Sequence, residues 1–308
     1  MKNRILITGC EGLVGRALRK NLEGRGVHIV GLDLLGKRQE AGDVRDANSV
    51  RSAMKGCRGV VHLAAVSRVI TGERDPKRCW STNVGGLDNV VAAASEQATT
   101  PWLIFASSRE VYGQPEALPA TEDAPLRPVN IYGRSKVEGE RIVTTARDKG
   151  LRAAIVRLSN VYGCIHDHAD RVVPAFAKAA VLGKTLRVDG SDHTFDFTHI
   201  DDTVRGIVSL IELLSGHDEV PPPIHFLTGR GTTLGQLAGL AIELAGGHAS
   251  IAEAPPRAFD VSHFCGSPLR AARLLHWNPS VPLRVGLGRL IEAYRAEVNS
   301  VEQRRVAR

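Results

Sequence analysis

The sequence predicts an α/β protein built on a doubly wound parallel sheet, with a smaller C-terminal lobe. Short apolar runs of four to six residues alternate with helical segments up to about residue 160. The first of these runs leads directly into a glycine-rich turn, and beyond residue 160 the alternation becomes irregular. Strands that are apolar on both faces are typical of a parallel sheet with helices covering both sides.

The alternating pattern defines the elements in chain order. Strands are predicted over RILIT, VHIVGLD, GVVHLAA, WLIFASS and AAIVRLS. Helices are predicted over GLVGRALRKNLEGRG, STNVGGLDNVVAAASEQA, the segment from Tyr132, VVPAFAKAAVLG, residues 201–214, the segment after a Thr233–Gln236 capping-box pattern, and about 283–298. Residues 1–160, with 198–216 returning to them, are expected to form the main domain. Residues 161–197 and 217–308 are expected to build mainly the lobe.

Composition limits the class of protein. The 308 residues are 43% hydrophobic and 24% charged, as in ordinary globular proteins. No apolar run approaches the roughly 18 residues that span a bilayer, so no membrane partner is expected. The N-terminus predicts a strand rather than a signal peptide, and the five cysteines are widely spaced and odd in number. These features favour a cytoplasmic protein without a disulfide framework.

The net charge of +7 raises the question of an anionic partner. The basic residues are scattered, and the aromatic residues, at 5%, do not interleave with them. Nucleic acid is therefore not expected as a partner, because a base-stacking surface needs that combination. An anionic small-molecule substrate is compatible with the same charge.

The segment TGCEGLVG places Gly9, Gly12 and Gly15 after the first strand and at the start of the first helix. Such a loop lets the backbone approach a pyrophosphate, while the helix N-terminus offers N–H groups to the phosphates. Asp33 follows the second strand, where a carboxylate accepts hydrogen bonds from ribose hydroxyls and repels a 2′-phosphate. This favours NAD over NADP, although Lys37 and Arg38 leave a phosphate contact open.

The segment IYGRSK places Tyr132 and Lys136 four residues apart. On a helix these two side chains lie on one face, one above the other. They are therefore candidates for a catalytic pair. Two ordinary solvated side chains would have the same spacing, so the pattern alone does not decide.

With these motifs, the chain resembles the extended short-chain dehydrogenase/reductase family, and more closely its NAD-dependent sugar epimerase/dehydratase branch. The resemblance extends over nearly the whole chain, through TGCEGLVG, GDVRD, HLAA, STNVGGLDNV, FASSREVYG, TEDAPLRPVNIYGRSK, RLSNVYG, RVVPAF, DFTHIDD and LLHWNPSVPLRVGL. It implies a Rossmann-type fold with a C-terminal substrate-binding lobe and NAD as cofactor. It also implies a sugar or nucleotide-sugar substrate, and a homodimer formed through two helices of each subunit.

The resemblance also implies roles for individual residues. The implied cofactor-binding residues are Gly9, Gly12, Leu13, Gly15, Asp33, Asp43, Val44, Leu63, Ala64, Ala65, Asn83, Tyr132 and Lys136. The implied catalytic residues are Ser108, Tyr132 and Lys136, with Glu110 as a further candidate. The implied substrate-binding residues are Ser108, Asn160, Arg171, His193, Phe195 and Arg257.

The chemistry explains why these residue types are needed. Removing hydride from a carbinol carbon also requires removal of the hydroxyl proton, and a tyrosine with its usual pKa near 10 is a poor base at neutral pH. The ammonium of Lys136 and the positive nicotinamide are expected to lower the pKa of Tyr132. Ser108 is expected to orient the substrate hydroxyl, and Lys136 to bond the nicotinamide ribose.

Two positions depart from the family pattern. Phe195 stands where nucleotide-sugar enzymes commonly carry an arginine that contacts the diphosphate, although Arg257 still matches a second phosphate arginine. Glu110 matches a catalytic glutamate of dehydratases and decarboxylases, but the preceding residue, Arg109, cannot act as a general acid. An ion pair with Arg109 is the alternative interpretation of Glu110.

The histidine-containing segments HDHAD and HTFDFTHIDD follow no settled ligand spacing, so no metal site is predicted. The sequence thus predicts an NAD-dependent epimerase that acts on a sugar or nucleotide sugar through a transient keto intermediate. The alternatives are an NAD-dependent sugar dehydrogenase and a nucleotide-sugar dehydratase or decarboxylase that uses Glu110. A nucleotide-sensing regulator is the non-enzyme alternative, but such proteins usually lose the Tyr/Lys pair that is present here.

Overall fold

The computed structural model describes residues 4–216, 219–257 and 261–306, without the side chains of residues 38, 301, 302 and 304–306. The strands are β1 (Arg4–Thr8), β2 (His28–Leu32), β3 (Gly59–His62), β4 (Trp102–Ser108), β5 (Ala153–Leu158), β6 (Asn160–Tyr162), β7 (Leu186–Asp189), β8 (Thr194–His199), β9 (Ile224–Phe226), β10 (Gly231–Thr233) and β11 (Ile251–Ala254). The helices are α1 (Leu13–Gly24), α2 (Ala47–Met54), α3 (Val69–Arg74), α4 (Pro76–Trp80), α5 (Gly86–Ser95), α6 (Ile131–Asp148), α7 (Val172–Val181), α8 (Ile200–Ser215), α9 (Leu234–Ala245), α10 (Leu269–Leu275) and α11 (Leu283–Val306). None of the helices in these ranges is both long and apolar enough to cross a bilayer.

Six strands form the central sheet in the order β2-β1-β3-β4-β5-β9, and every neighbouring pair is parallel. The chain moves outward from β1 to β2 and then returns to place β3 on the other side of β1. This reversal opens a crevice between the carboxyl ends of β1 and β3, where open α/β sheets bind their ligands. The predicted doubly wound parallel sheet is confirmed.

Two apolar layers cover the sheet, and strand β1 contributes to both. Ile5 and Ile7 point into a cluster shared with helices α1 and α8, which includes Leu18 and Ile207. Leu6 points to the opposite face, into a cluster shared with α2, α5 and α6. The alternation follows from the two-residue period of a strand, and it places both helix layers against one fully buried sheet.

The helix predicted over STNVGGLDNVVAAASEQA begins with a π-helical turn. Helix α4 ends at Trp80, residues Ser81–Gly85 form the π-helical turn, and α5 begins at Gly86. A π-turn adds one residue to the helical repeat, and such turns are frequent at functional sites. Here the turn carries Asn83, whose side chain is almost fully buried.

The C-terminal lobe has its own core. Strands β6, β8 and β10 form a three-stranded sheet, β7 pairs with β11, and helices α7, α9 and α11 enclose an apolar cluster with them. Two parts of residues 217–308 join the main domain, since β9 is the sixth strand of the main sheet and Trp277 packs into the main core, and the predicted division of the chain stays a prediction. Helix α11 also runs beyond the expected end near Val298, through a segment without glycine or proline.

Candidate active site

The glycine loop lies at the carboxyl edge of the sheet, between β1 and α1. Gly9 has a φ of +72°, and a Cβ there would lie 2.6 Å from the backbone nitrogen of Ala64. A Cβ at Gly15 would lie 2.2 Å from the carbonyl oxygen of Gly9. Helix α1 begins at Leu13 without a side-chain cap from Gly12, so its first N–H groups have no intrahelical partner. The loop therefore fits a pyrophosphate at this position.

Asp33 lies directly after β2, beside the glycine loop. Its Oδ2 accepts a hydrogen bond from the backbone N–H of Glu11 at 2.9 Å, and its Oδ1 accepts one from Leu35 at 2.8 Å. A carboxylate has about four lone-pair sites, so capacity for ribose hydroxyls remains. Lys37 is exposed, and the side chain of Arg38 lies outside the described residues. The geometry fits the predicted ribose contact.

Asp43 and Val44 have different surroundings. Asp43 forms a 2.5 Å ion pair with Arg45, and the hydrogen bond from that guanidinium lowers the pKa of the carboxyl. Val44 is buried and packs closely against α5. A Cβ on Gly86, the first residue of that helix, would lie 2.7 Å from Cγ2 of Val44. Contact of either residue with an adenine ring stays a prediction.

Residues 63–65 follow β3 and form the opposite wall of the crevice. The backbone N–H of Leu63 donates to the carbonyl oxygen of Thr8 at 3.1 Å, and the N–H of Ala64 donates to the Thr8 hydroxyl at 3.3 Å. Asn83 holds the continuation of this segment, since its side chain accepts from the Val66 N–H at 2.8 Å and donates to the Val66 carbonyl at 3.1 Å. The predicted supporting role of Asn83 therefore has a geometric basis.

The structure brings Ser108, Tyr132 and Lys136 together. Helix α6 begins after Asn130, whose side chain caps it by accepting from the N–H of Gly133 at 2.7 Å. This start places Tyr132 in the first turn, where its hydroxyl lies close enough to Ser108, at the end of β4, for that side chain to influence its pKa. The Nζ of Lys136 lies 5.8 Å from the centre of the tyrosine ring. All three side chains are buried.

The electrostatics of this group differ from the expectation. Burial raises the pKa of Tyr132 to about 12, and the largest opposing influence is the hydrogen bond with Ser108 rather than the charge of Lys136. Burial also lowers the pKa of Lys136 to about 8, and its Nζ donates to the carbonyl oxygen of Ala106 at 2.7 Å. The ammonium is therefore still the main form at neutral pH, but burial outweighs its effect on the phenol.

Glu110 is held on both oxygens. Its Oε1 lies 2.9 Å from Nη2 of Arg109, and its Oε2 accepts from the side-chain amide of Asn130 at 2.8 Å. The residue is 5% exposed, so water does not replace these partners. These contacts correspond to the alternative interpretation of Glu110 as an ion-pair partner, and they give no support to a catalytic role.

Arg109 links three of the predicted site positions. Its Nε donates to Oδ1 of Asn160 at 3.2 Å, in addition to the ion pair with Glu110. Its guanidinium carbon lies 4.5 Å from the ring centre of Phe195 and 5.7 Å from that of Phe264. The ring that replaces the family's phosphate arginine is therefore covered by a guanidinium from another part of the chain.

The remaining predicted substrate residues lie around this centre. Arg171 donates to the hydroxyl of Ser67 at 3.1 Å, just beyond the wall formed by residues 63–65. The ring of His193 meets Phe195 edge-on at 6.2 Å. Arg257 is exposed at the surface of the lobe. A substrate contact for each of them stays a prediction.

One group of potential metal ligands occurs in the described ranges. Cys10, Glu11 and Glu40 have ligand atoms within 4.8 Å of one another. Arg19 forms a 3.0 Å ion pair with Glu40 and lies 3.7 Å from Glu11, so a cation already compensates both carboxylates. Burial also raises the pKa of Cys10 to about 11, which disfavours the thiolate that binds metals.

The sequence indicated Arg109 as a residue that cannot donate a proton and as an ion-pair partner of Glu110, but not its contacts with Asn160, Phe195 and Phe264. Its position directly after Ser108 is the signal that could have drawn attention to it. The contacts with Phe195 and Phe264 join distant segments, so no local pattern predicts them. A buried network behind the site, centred on Glu140 and Arg157, was missed for the same reason.

Comparisons with known proteins agree with this geometry. The model of the NAD dependent epimerase/dehydratase family matches residues 5–220. A UDP-glucose 4-epimerase from Streptomyces lividans is 28% identical over 307 residues, covering 91% of this chain and 92% of that protein. A dTDP-glucose 4,6-dehydratase from Streptomyces griseus is 30% identical over 319 residues, covering 96% and 94%.

The crystal structure of a UDP-glucose 4-epimerase from Thermotoga maritima with UDP-glucose superposes with a TM-score of 0.88. It is 26% identical in sequence, and the match covers 96% of this chain and 99% of that one. The family model spans the glycine loop, residues 63–65 of the opposite wall, and the Ser108–Tyr132–Lys136 group. The chain is therefore an enzyme that belongs to the NAD-dependent epimerase/dehydratase family.

Proposed function

We propose that this protein is a nucleotide-sugar epimerase that inverts one hydroxyl-bearing carbon through a transient ketone. The observation that carries the proposal is the buried group of Ser108, Tyr132 and Lys136, at the sheet edge that also holds the glycine loop. Relatives with this overall structure are named for UDP-glucose epimerisation. A non-catalytic nucleotide sensor would not need a buried tyrosine base, so this group of residues supports an enzyme.

Residues of the crevice would hold NAD in a defined orientation. The glycine loop and the first turn of α1 would hold the pyrophosphate, and Asp33 would accept hydrogen bonds from the adenosine ribose. The chemistry that bound NAD supplies is reversible hydride transfer at a sugar carbon. Residues 63–65 and the Asn83-supported segment form the wall on the other side.

Tyr132 moves the proton in this mechanism. Because burial raises the pKa of Tyr132, this step depends on the positive charges of Lys136 and of bound NAD, which would favour the phenolate. The phenolate would accept the proton of the sugar hydroxyl, while Ser108 would hydrogen-bond the same oxygen and fix its position. Lys136 keeps a positive charge near the phenolate at neutral pH. After the keto sugar has rotated to present the opposite face of its carbonyl, Tyr132 returns the proton to the oxygen of the new hydroxyl. The pocket must therefore bind the nucleotide tightly and leave the keto sugar free to rotate.

The surroundings of Glu110 favour epimerisation over dehydration. A dehydratase protonates a leaving hydroxyl, and that step needs a carboxylic acid close to the sugar. Arg109 cannot donate in this way, because its guanidinium stays protonated. Both oxygens of Glu110 are already engaged by Arg109 and Asn130.

Product analysis tests the proposed function. The enzyme is incubated with NAD and, separately, UDP-glucose, UDP-glucuronic acid and dTDP-glucose, and the products are identified by NMR. We expect one nucleotide sugar to equilibrate with its epimer, without accumulation of NADH. A keto-deoxy sugar would indicate a dehydratase, release of CO₂ a decarboxylase, and stoichiometric NADH a dehydrogenase, and each result would contradict the proposal.

We further propose that the protein is a cytoplasmic homodimer. The resemblance to the family supports the dimer, since it implies pairing through two helices of each subunit, and the odd number of widely spaced cysteines supports the cytoplasm. Light scattering after size-exclusion chromatography measures the mass directly, and a monomer at micromolar concentration would contradict the dimer.

A further inference from the structure

The guanidinium of Arg109 is buried but incompletely paired. Its side chain is only 10% exposed. Nε donates to Asn160 and Nη2 faces Glu110, whereas Nη1 is buried and has no hydrogen-bond partner within the part of the chain that the structure describes. A buried donor without a partner is costly, so such groups in native proteins usually serve a ligand or a switch.

The neighbours of this guanidinium leave Nη1 without an acceptor. Glu110, its carboxylate partner among the described residues, faces Nη2 with one oxygen and accepts from Asn130 with the other. The rings of Phe195 and Phe264 attract a cation but accept no conventional hydrogen bond. An anionic oxygen that reached Nη1 would supply the missing acceptor in a charge-assisted hydrogen bond.

The contact with Arg109 orients the side-chain amide of Asn160, whose Nδ2 is a second hydrogen-bond donor. Because Oδ1 of Asn160 accepts from Arg109, the amide is oriented with its Nδ2 directed elsewhere as a donor. Asn160 is partly exposed, unlike the side chain that orients it. Arg109 and Asn160 therefore offer N–H groups of the kind that bind an oxyanion.

The location connects this group to the reaction. Arg109 directly follows Ser108, the predicted contact of the substrate hydroxyl, and its guanidinium donates to Asn160, another predicted substrate-binding residue. It also covers the ring of Phe195, the position where the sequence resemblance expects a phosphate-binding arginine. A guanidinium is thus still present at that place, but it comes from residue 109.

We propose that Arg109 recognises an anionic oxygen of the substrate, in place of the arginine expected at position 195. The inference rests on the proposed function, because it names the group that selects the substrate. The chemistry required is an oxyanion close to the reacting sugar. A diphosphate oxygen and a sugar carboxylate both have this chemistry.

Binding measurements on matched variants test the inference. Calorimetry with the NAD-bound enzyme compares Glu110→Gln with Arg109→Met/Glu110→Gln, so that the two proteins differ in the guanidinium without leaving a buried carboxylate unpaired. The probes are UDP, UDP-glucose and UDP-glucuronic acid. Arg51→Met, which removes an arginine from an exposed surface pair, is the control.

Loss of about ten- to a hundredfold in affinity for all three probes supports recognition of the diphosphate. An equal loss for UDP-glucuronic acid alone supports recognition of the carboxylate. Unchanged affinity for every probe, with NAD binding intact, would overturn the inference and leave Arg109 a structural residue. If the double variant does not fold, Arg109→Lys replaces it, and the same pattern of losses is required.

The proposed function can fail separately. If the parent enzyme binds none of the three probes, the nucleotide-sugar assignment is wrong. Free glucuronate and glucose are then compared on the parent and on Arg109→Lys. Binding of glucuronate that the substitution weakens at least tenfold would still support an oxyanion site at Arg109, and failure to bind glucuronate would overturn it.

Discussion

Tyr132 is the side chain on which the proposed proton transfer depends. Tyr132→Phe removes one hydroxyl from a buried ring, so the fold and NAD binding are expected to persist. Turnover should fall by about two orders of magnitude or more, the usual contribution of a general base. Steady-state kinetics and an NAD titration measure the two effects.

The matched control is Tyr162→Phe, which removes a buried hydroxyl with one long bond of 3.4 Å to the Leu283 carbonyl. Its turnover should stay close to that of the parent. Equal losses in the two variants, or near-normal activity of Tyr132→Phe, would remove Tyr132 from the mechanism.

We expect Asp33 to determine the choice between NAD and NADP. Its carboxylate lies beside the glycine loop, where it would meet the ribose hydroxyls of NAD and repel the extra phosphate of NADP. Asp33→Ala should narrow the ratio of the dissociation constants of NADP and NAD by about tenfold, equivalent to about 1.4 kcal/mol. Fluorescence titration of both cofactors measures the ratio.

Asp33→Asn separates charge from hydrogen bonding, because the amide keeps one acceptor for the backbone N–H groups of Glu11 and Leu35. If repulsion is the main effect, this variant narrows the ratio as much as Asp33→Ala. Tighter binding of NADP than NAD by the parent enzyme would show that Lys37 and Arg38 dominate instead.

Helix α6 is fixed to the sheet by a buried ion pair one turn beyond Lys136. Arg157 on β5 donates to both oxygens of Glu140 on α6, at 2.9 and 2.6 Å, and Ser107 on β4 donates to the same carboxylate at 2.5 Å. A third Arg157 nitrogen meets the hydroxyl of Tyr112 at 2.6 Å. The network therefore sets the position of the helix that carries Tyr132 and Lys136.

Arg157→Met should destabilise the protein by about 3–5 kcal/mol, because it leaves the buried carboxylate of Glu140 without its cation. Chemical denaturation measures the change. Arg157→Met/Glu140→Leu should recover part of the loss, since it removes the unpaired charge. Arg141→Met, which breaks the exposed pair with Glu138 on the same helix, should cost less than about 0.5 kcal/mol. Equal costs for the buried and exposed substitutions would contradict this role.

Local sequence patterns predicted the structural elements well where backbone geometry or apolar periodicity alone determines them. The glycine loop, the capping box at Thr233 and the parallel strands follow from backbone geometry and apolar periodicity, and all are present. The π-turn at Asn83 and the placement of β9 in the main sheet depend on packing between distant segments. The contact of Arg109 with Phe195 also joins distant segments. The sequence therefore showed that position 195 lacks the expected arginine, but not that Arg109 lies over the phenyl ring there.

Two histidines make the stability of the whole molecule depend on pH. Burial lowers the pKa of both His62 and His225 to about 3. His225 is enclosed by Tyr112, which bonds it at 2.6 Å, by the Ser267 carbonyl at 3.2 Å, and by Glu122 at 3.9 Å. The native protein holds each ring neutral, whereas the unfolded chain protonates it near pH 6.5.

Stability should therefore fall as the pH decreases from about 6.5 toward 3, because the unfolded state binds more protons in that range. Between pH 7.5 and 5, the free energy of unfolding of His225→Gln should fall by about 1–2 kcal/mol less than that of the parent, as measured by urea unfolding. His28→Gln, at an exposed position, should follow the parent. Parallel pH profiles for the parent and His225→Gln would show that His225 does not contribute.

The fate of one hydrogen tests the central claim most directly, that this enzyme epimerises a sugar through a ketone. UDP-glucose carrying deuterium at the carbon to be inverted is incubated with the enzyme and NAD in ordinary water, and the product is analysed by NMR and mass spectrometry. The account predicts the epimeric nucleotide sugar with deuterium retained at that carbon. Epimer formed with loss of deuterium to the solvent, or deuterium that accumulates in the reduced cofactor without any epimer, would contradict it.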